Sequence, residues 1–378
     1  MVKIKKGETY EIKDHQLYFS RFSVLFRLFR ENKVSATKRW MQCKIIFFAS
    51  LTQIFILLQR VFYKNKISSV DLSQQPPIFI LGHWRSGTTH LHYLMTKDKR
   101  MGFASNYNVF LINICLLGKG WLDRILAPFL PDKRPMDNVR QTLYDPAEED
   151  QAVANISTAT GINVFFFPKN RTYFEKYTLM KGLSVKEKRH WQRAYQYALQ
   201  LISYSSEQKR LVLKCPTNTA RPTELKELFP GSKFVFIHRN PFEVYRSTRK
   251  LYKHSTESQY LQDVTEEEIE DCIFTNYTEL MQSYLEKRGQ LKSNDLIEIS
   301  YDQLSKNPME TMRLIYDQLE LGNWEEASTH ILDYLQSVDD YEKNHFKPLP
   351  DRIVARIQKE WAFSFEIWGY STIHGPEI

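Results

Sequence analysis

From residue 76 onward, short apolar runs alternate with stretches of helical spacing. Ile78–Leu81, Leu211–Lys214 ("LVLK"), Phe234–His238 ("FVFIH") and Leu296–Ile299 ("LIEI") are brief and largely apolar at consecutive positions, the pattern of strands covered on both faces. Helical stretches follow them at 87–97, 222–229, 241–252 and 308–320. Strands separated by helices predict an α/β fold with a parallel sheet. In such a fold, ligands bind beyond the carboxyl ends of the strands. The segment 100–150 is less regular and is read as part of a site wall, since long irregular insertions in compact domains are usually functional.

The first seventy residues follow another pattern. In "QLYFSRFSVLFRLFRE", 16–31, Leu17, Phe22, Leu25 and Phe29 share helical spacing, while Arg21, Arg27 and Arg30 offer basic contacts. That spacing predicts an amphipathic helix. The run 45–59, "IIFFASLTQIFILLQ", is uncharged and lies between Lys44 and Arg60. A membrane span needs about 20 mostly apolar residues, so this run predicts a buried or interfacial helix. "DLSQQPP", 71–77, reads as a linker. The chain thus divides into a basic helical extension, 1–70, and a main domain, 71–378.

Charge sharpens that division. The net charge of +8 is uneven: residues 1–70 hold 14 Lys/Arg against 4 Asp/Glu, leaving 38 basic and 40 acidic residues elsewhere. This argues against a nucleic-acid-binding core. A basic, apolar extension suggests a peripheral membrane surface or a helical layer packed on the main domain, and both stay open. Cys43, Cys115, Cys215 and Cys272 show neither zinc spacing nor a disulfide framework, which predicts a reducing, cytoplasmic setting. No pattern indicates an oligomeric state.

The stretch "GHWRSGTT", Gly82–Thr89, follows the first predicted strand and precedes a helix. Glycines at this spacing cradle a phosphate on backbone N–H groups and a helix N-terminus. A magnesium-nucleotide loop would carry Lys where Thr88 stands; the cation here is Arg85 instead. A second constellation is "FVFIHRNPFEVYRST", 234–248. Asn240, Pro241 and Glu243 predict a helix start with a capping box. Arg239 and Ser247 could then grip one anion between them.

Together these motifs resemble the sulfotransferase family, whose donor is 3′-phosphoadenosine 5′-phosphosulfate. "RSGTTHL", 85–91, resembles its 5′-phosphosulfate loop, "HRNPFEVYRS", 238–247, its 3′-phosphate element, and "SYDQLSKNP", 300–308, its adenine-side segment. "RPMDN", 134–138, "PAEEDQA", 146–152, and "LVLKCP", 211–216, are similar to the broad, largely bacterial-type branch. The resemblance implies a P-loop NTPase-like three-layer fold and transfer of a sulfuryl group to an acceptor hydroxyl. It assigns Arg85, Ser86, Gly87, Thr88 and Thr89 to the 5′-phosphosulfate, Arg239 and Ser247 to the 3′-phosphate, and Tyr301 to the adenine side. No metal is expected.

Such transfer needs cations where charge grows on the leaving phosphate and a base for the hydroxyl proton. Arg85 and Lys214 are the candidate cations. The cluster Glu148–Glu149–Asp150 is a candidate source of the base, because crowded carboxylates repel and can raise one pKa; within it, the resemblance to the family's acidic run after a proline makes Glu148 the preferred base. His90 and His92 are candidates for the acceptor pocket or for packing. The late glycine-rich basic loop of the family's cytosolic enzymes is missing, and Lys343, His345, Lys347 and Arg352 stand in the C-terminal third instead. The expected acceptor is a small-molecule or lipid alcohol. The alternatives are an ATP-dependent phosphotransferase with a variant loop and a non-catalytic nucleotide- and membrane-binding protein.

Overall fold

The computed structural model describes residues 15–118, 120, 124, 142–337 and 348–373. At its centre is a sheet of five strands, β1 (Ile78–Leu81), β2 (Met101–Gly102), β3 (Arg210–Lys214), β4 (Lys233–His238) and β5 (Leu296–Ser300). The strand order is β2-β3-β1-β4-β5, and every pairing is parallel. Four of the strands match the sequence expectation within a residue or two. β2 was not expected: with two residues, one of them glycine, it carries no period-two signal.

Side chains alternate between two cores, as strand geometry requires. Phe79, Leu81, Leu213 and Phe236 face one cluster; Ile78, Ile80, Val212 and Ile237 face the other. The first face is covered by the helices Val185–Ser205, Glu266–Arg288 and Asp351–Glu360. The second is covered by Thr88–Met95, Pro308–Gln318 and Trp324–Ser337. The result is three layers, helix–sheet–helix. β1 lies in the middle, paired with β3 on one side and β4 on the other. The loop after β1 therefore opens where the strand order reverses, the place where such folds bind ligands.

The N-terminal segment departs from a single helix over 16–31. A 3-10 turn, Gln16–Phe19, comes first, and helix α1 begins only at Phe22 (Phe22–Glu31). The break has a cause: Ser20 donates its hydroxyl, and Arg21 its backbone N–H, to Asn155. The uncharged run 45–59 is the middle of a longer helix, α2 (Arg39–Ser68). Inner faces of both helices are built into the core. Leu25, Leu28, Ile45 and Ala49 pack with Ala154, Phe166 and Phe167, while Ile56 and Ile67 join the cluster that holds Phe79. The "RPMDN" motif lies outside the described residues.

β4 is sealed against the C-terminal helices by stacked rings. Phe236 lies 3.9 Å from Tyr284, nearly parallel at 9°, and 5.6 Å from Trp368. Truncating such a buried aromatic leaves a cavity between two rings. Phe236→Ala is expected to lower unfolding stability by about 3–5 kcal/mol, read as a reduced urea midpoint with an unchanged slope.

Candidate functional site

The loop after β1 is shaped by its glycines and by close neighbours. A Cβ at Gly82 would sit 2.5 Å from the Ile237 carbonyl, and one at Gly87 would sit 2.4 Å from the Tyr301 ring. Gly82, Arg85 and Gly87 all have positive φ, at 143°, 71° and 101°. Only glycine takes the first and last at no steric cost; Arg85 is held there by its surroundings. Ser86 ties the turn together, its N–H and hydroxyl both donating to the His83 carbonyl. Gly87 then starts helix α3 (Thr88–Met95), so the first N–H groups of α3 face the loop.

Three strand ends converge on this loop. Arg85 Nε donates to Ser247 Oγ at 2.7 Å, joining positions 162 apart in sequence. Arg239 extends its guanidinium to the Arg85 carbonyl at 3.4 Å. The same guanidinium lies over the Tyr301 ring, 4.2 Å from its centroid. That contact follows from register: His238 pairs with Ser300, so Arg239 and Tyr301 leave adjacent strands side by side. Asn240 caps the helix Pro241–Leu251 by accepting from the Phe242 N–H. Glu243 does not close the expected capping box. It reaches Arg246 at 3.1 Å and Arg239 at 3.7 Å instead.

On the other flank, Lys214 ends β3 opposite Ile80. Its Nζ donates to Glu148 Oε1 at 2.7 Å, with both side chains mostly buried. Gln151 donates to the other Glu148 oxygen at 3.3 Å. Glu148 is the N-cap of the helix Glu149–Ile156. The candidate base and the candidate cation are thus one ion pair beside the loop.

The acidic cluster separates into three environments. Glu149 is fully buried and accepts from Tyr195 and Asn218; burial above all raises its pKa, and the Asp150 charge adds to this. Asp150 accepts from Arg221 at 2.9 Å and from Thr217 at 2.8 Å. The expectation of mutual repulsion therefore holds for Glu149 only as a secondary cause; desolvation leads.

His83 and His92 are buried. His92 Nε2 donates to the Val212 carbonyl beneath α3, and burial with the nearby Lys214 charge pushes its pKa down to about 3. His83 packs against Trp84 and Tyr277, with its pKa pushed down to about 4 by burial. His90 is lowered by burial as well. Arg352 pairs with Glu270 at 2.7 Å, on the helix Glu266–Arg288. Lys343, His345 and Lys347 lie outside the described residues. Among the described residues, no group of three or more His, Cys, Asp and Glu could hold a metal ion.

Sequence reasoning missed the turn 216–221. Thr219 Oγ1 accepts from the Gly82 N–H at 2.7 Å and donates to the Gly82 carbonyl at 3.1 Å. Asn218 and Arg221 carry the network that holds Glu149 and Asp150. The signal was the run "TNTAR", two residues after a buried strand, four polar side chains where a core would favour apolar ones.

With the geometry in view, comparisons with known proteins agree with one another. The model of the sulfotransferase family matches residues 76–326. The omega-hydroxy-beta-dihydromenaquinone-9 sulfotransferases Stf3 of Mycobacterium tuberculosis (strain CDC 1551 / Oshkosh) and of Mycobacterium bovis are each 28% identical over 358 residues. Each alignment spans 94% of this chain and 91% of the relative. The fold is shared with sulfotransferase STF1 from Mycobacterium tuberculosis H37Rv, at a TM-score of 0.63 and 18% identity over 94% of both chains. It is also shared with STF9 from Mycobacterium avium, at 0.61 and 15% over 92% of this chain and 96% of the other.

Glu149 gives a pH signature. A raised folded pKa means the native state binds that proton more tightly than the unfolded chain. This contribution to stability is present at low pH and is lost as pH rises from the unfolded value through the folded one. Glu149→Gln is expected to flatten the decline in Tm with rising pH, while keeping its bonds from Tyr195 and Asn218. A Tm–pH profile unchanged by the substitution would contradict this assignment.

Proposed function

The chain belongs to the sulfotransferase family, and on that basis we propose that it transfers the sulfuryl group of 3′-phosphoadenosine 5′-phosphosulfate to the hydroxyl of a lipid alcohol. The observation that carries the donor reading is the bond between Arg85 and Ser247. It ties the phosphate-cradling loop to a second anion grip, and a donor with phosphates at two ends needs both. The glycine cradle, with a Cβ excluded at Gly82 and Gly87, fits close approach of a phosphate to backbone.

The residues then take these roles. Backbone N–H groups of Gly87–Thr89, with the Thr88 and Thr89 hydroxyls, hold the 5′-phosphate at the start of α3, on the turn that Ser86 fastens to the His83 carbonyl. Arg239 and Ser247 hold the 3′-phosphate, and Tyr301 borders the adenine. The donor supplies a sulfur already bonded to a good leaving group. Glu148 accepts the acceptor's hydroxyl proton as the oxygen–sulfur bond forms and the sulfur–phosphate oxygen bond breaks. Arg85 and Lys214 stabilise the charge that grows on the departing phosphate. The products are a sulfate ester, adenosine 3′,5′-bisphosphate and a proton on the base.

The lipid acceptor is favoured by the Stf3 relatives, whose name specifies a hydroxylated menaquinone derivative. It is also favoured by the apolar surface of α2. We place the enzyme in the cytoplasm, peripheral to a membrane.

Adenosine 3′,5′-bisphosphate without metal is expected to raise Tm, and ATP with magnesium is not; the reverse result would favour a phosphotransferase. Arg239→Ala is expected to weaken bisphosphate binding about 10- to 100-fold, the loss of charge-assisted hydrogen bonds.

Glu148→Gln is expected to lower turnover of a lipid alcohol about 10²- to 10⁴-fold, with bisphosphate binding kept. Single-turnover assays with labelled donor separate the two effects. Full turnover in this variant would move the base to another residue.

A further inference from the structure

We propose that α1 and the outer face of α2 form an in-plane docking surface for an anionic lipid bilayer. The inference rests on the reading of a lipid acceptor and gives it a physical address on the protein.

The 30 residues of α2 span about 45 Å. Ile45, Ala49, Thr52, Ile56, Gln59 and Ile67 are buried, a spacing of three or four residues that half-buried Tyr63 completes. They form one stripe toward the protein. The opposite side carries Trp40, Phe47, Leu51, Ile54 and Phe62, with Trp40 75% exposed and Phe62 65% exposed. α1 adds Phe26 at 68%. Single exposed apolar side chains are ordinary, but a stripe along one helix marks an interaction surface.

Charge selects the partner. Residues 15–70 contain ten Lys/Arg and a single acid, Glu31, which is itself paired with Arg27. The uncharged middle of α2 is bounded by Lys38, Arg39 and Lys44 on one side and by Arg60, Lys64 and Lys66 on the other. An apolar centre with cationic ends matches acyl chains beneath anionic headgroups.

The helix lies along the surface instead of crossing it. By length and composition alone it could span a membrane, yet it is fastened to the protein along its length. Gln59 donates to the Ile112 carbonyl at 3.0 Å and accepts from the Leu116 N–H at 2.8 Å. Tyr63 donates to the Leu116 carbonyl at 3.3 Å, and Gln53 to the Ser20 carbonyl at 3.1 Å. A spanning helix would leave these groups without partners in hydrocarbon.

This surface also has a short route to the site. Arg21, the N-cap of α1, donates its N–H to Asn155 at 3.3 Å. Asn155 lies in the last turn of the eight-residue helix whose N-cap is Glu148, a length of about 12 Å. The start of α1 and the candidate base stand at the two ends of that helix.

The test is flotation of the full chain with vesicles of phosphatidylcholine, alone or mixed with phosphatidylglycerol. The wild type is expected to float with the mixed vesicles and to be released by carbonate. Two triple variants, F47S/L51S/F62S and K44E/R60E/K64E, are each expected to lose roughly tenfold or more in partitioning. Retained stabilisation by adenosine 3′,5′-bisphosphate verifies that each variant is folded. Unchanged partitioning of both variants, binding that resists carbonate, or a dimer that the serine substitutions dissociate would overturn the proposal. Turnover of a detergent-dispersed lipid alcohol is measured separately. Vesicle binding without such turnover would sink the acceptor reading and leave the docking surface standing.

Discussion

Arg221 is a permanently charged side chain with no exposure to solvent, and the site is organised around what satisfies it. Burying a charge costs several kcal/mol unless its bonds are complete. Here the guanidinium donates to Asp150, to Asn218 and to the Tyr177 carbonyl, and it lies over the Trp191 and Tyr195 rings. These demands admit few arrangements of the turn after β3. Once that turn is fixed, Thr219 is held against Gly82 and the helix Glu149–Ile156 is held against β3. The cradle loop and the Lys214–Glu148 pair are therefore both braced by one buried ion pair, Arg221–Asp150.

The site built on that brace collects positive charge in a closed arrangement. Arg85 and Arg239 bond to groups of the site itself, a hydroxyl and a carbonyl, and Lys214 is neutralised by Glu148. Each cation thus has a fixed partner, and fixed charge is the condition for electrostatic stabilisation without reorganisation. Glu243, 3.7 Å from Arg239, is a resident anion with which a phosphate would compete.

Much of this was legible in the sequence where chemistry and periodicity coincide. The strands were visible because a parallel sheet covered on both faces needs consecutive apolar residues, and Ile78–Leu81 has nothing else. Gly82 and Gly87 were visible because their spacing has a backbone reason. The remainder depends on contacts that sequence does not encode locally. The break at Ser20–Arg21 is made by Asn155, and the three neighbouring carboxylates 148–150 go to three partners set by the turn 216–221. The full length of α2 was hidden because its charged ends look like helix boundaries when only apolar residues are counted.

The pairing of His238 with Ser300 has a consequence for how such a chain can diverge. Arg239 meets Tyr301 because each is the first residue beyond its strand, not because of the chain between them. Insertions or deletions in the connection from the end of the helix Pro241–Leu251 to β5 would leave that meeting intact. A single residue gained or lost within β4 or β5 would rotate one partner to the opposite side of the sheet. Length variation among relatives should therefore collect between the strands and stop at their carboxyl ends.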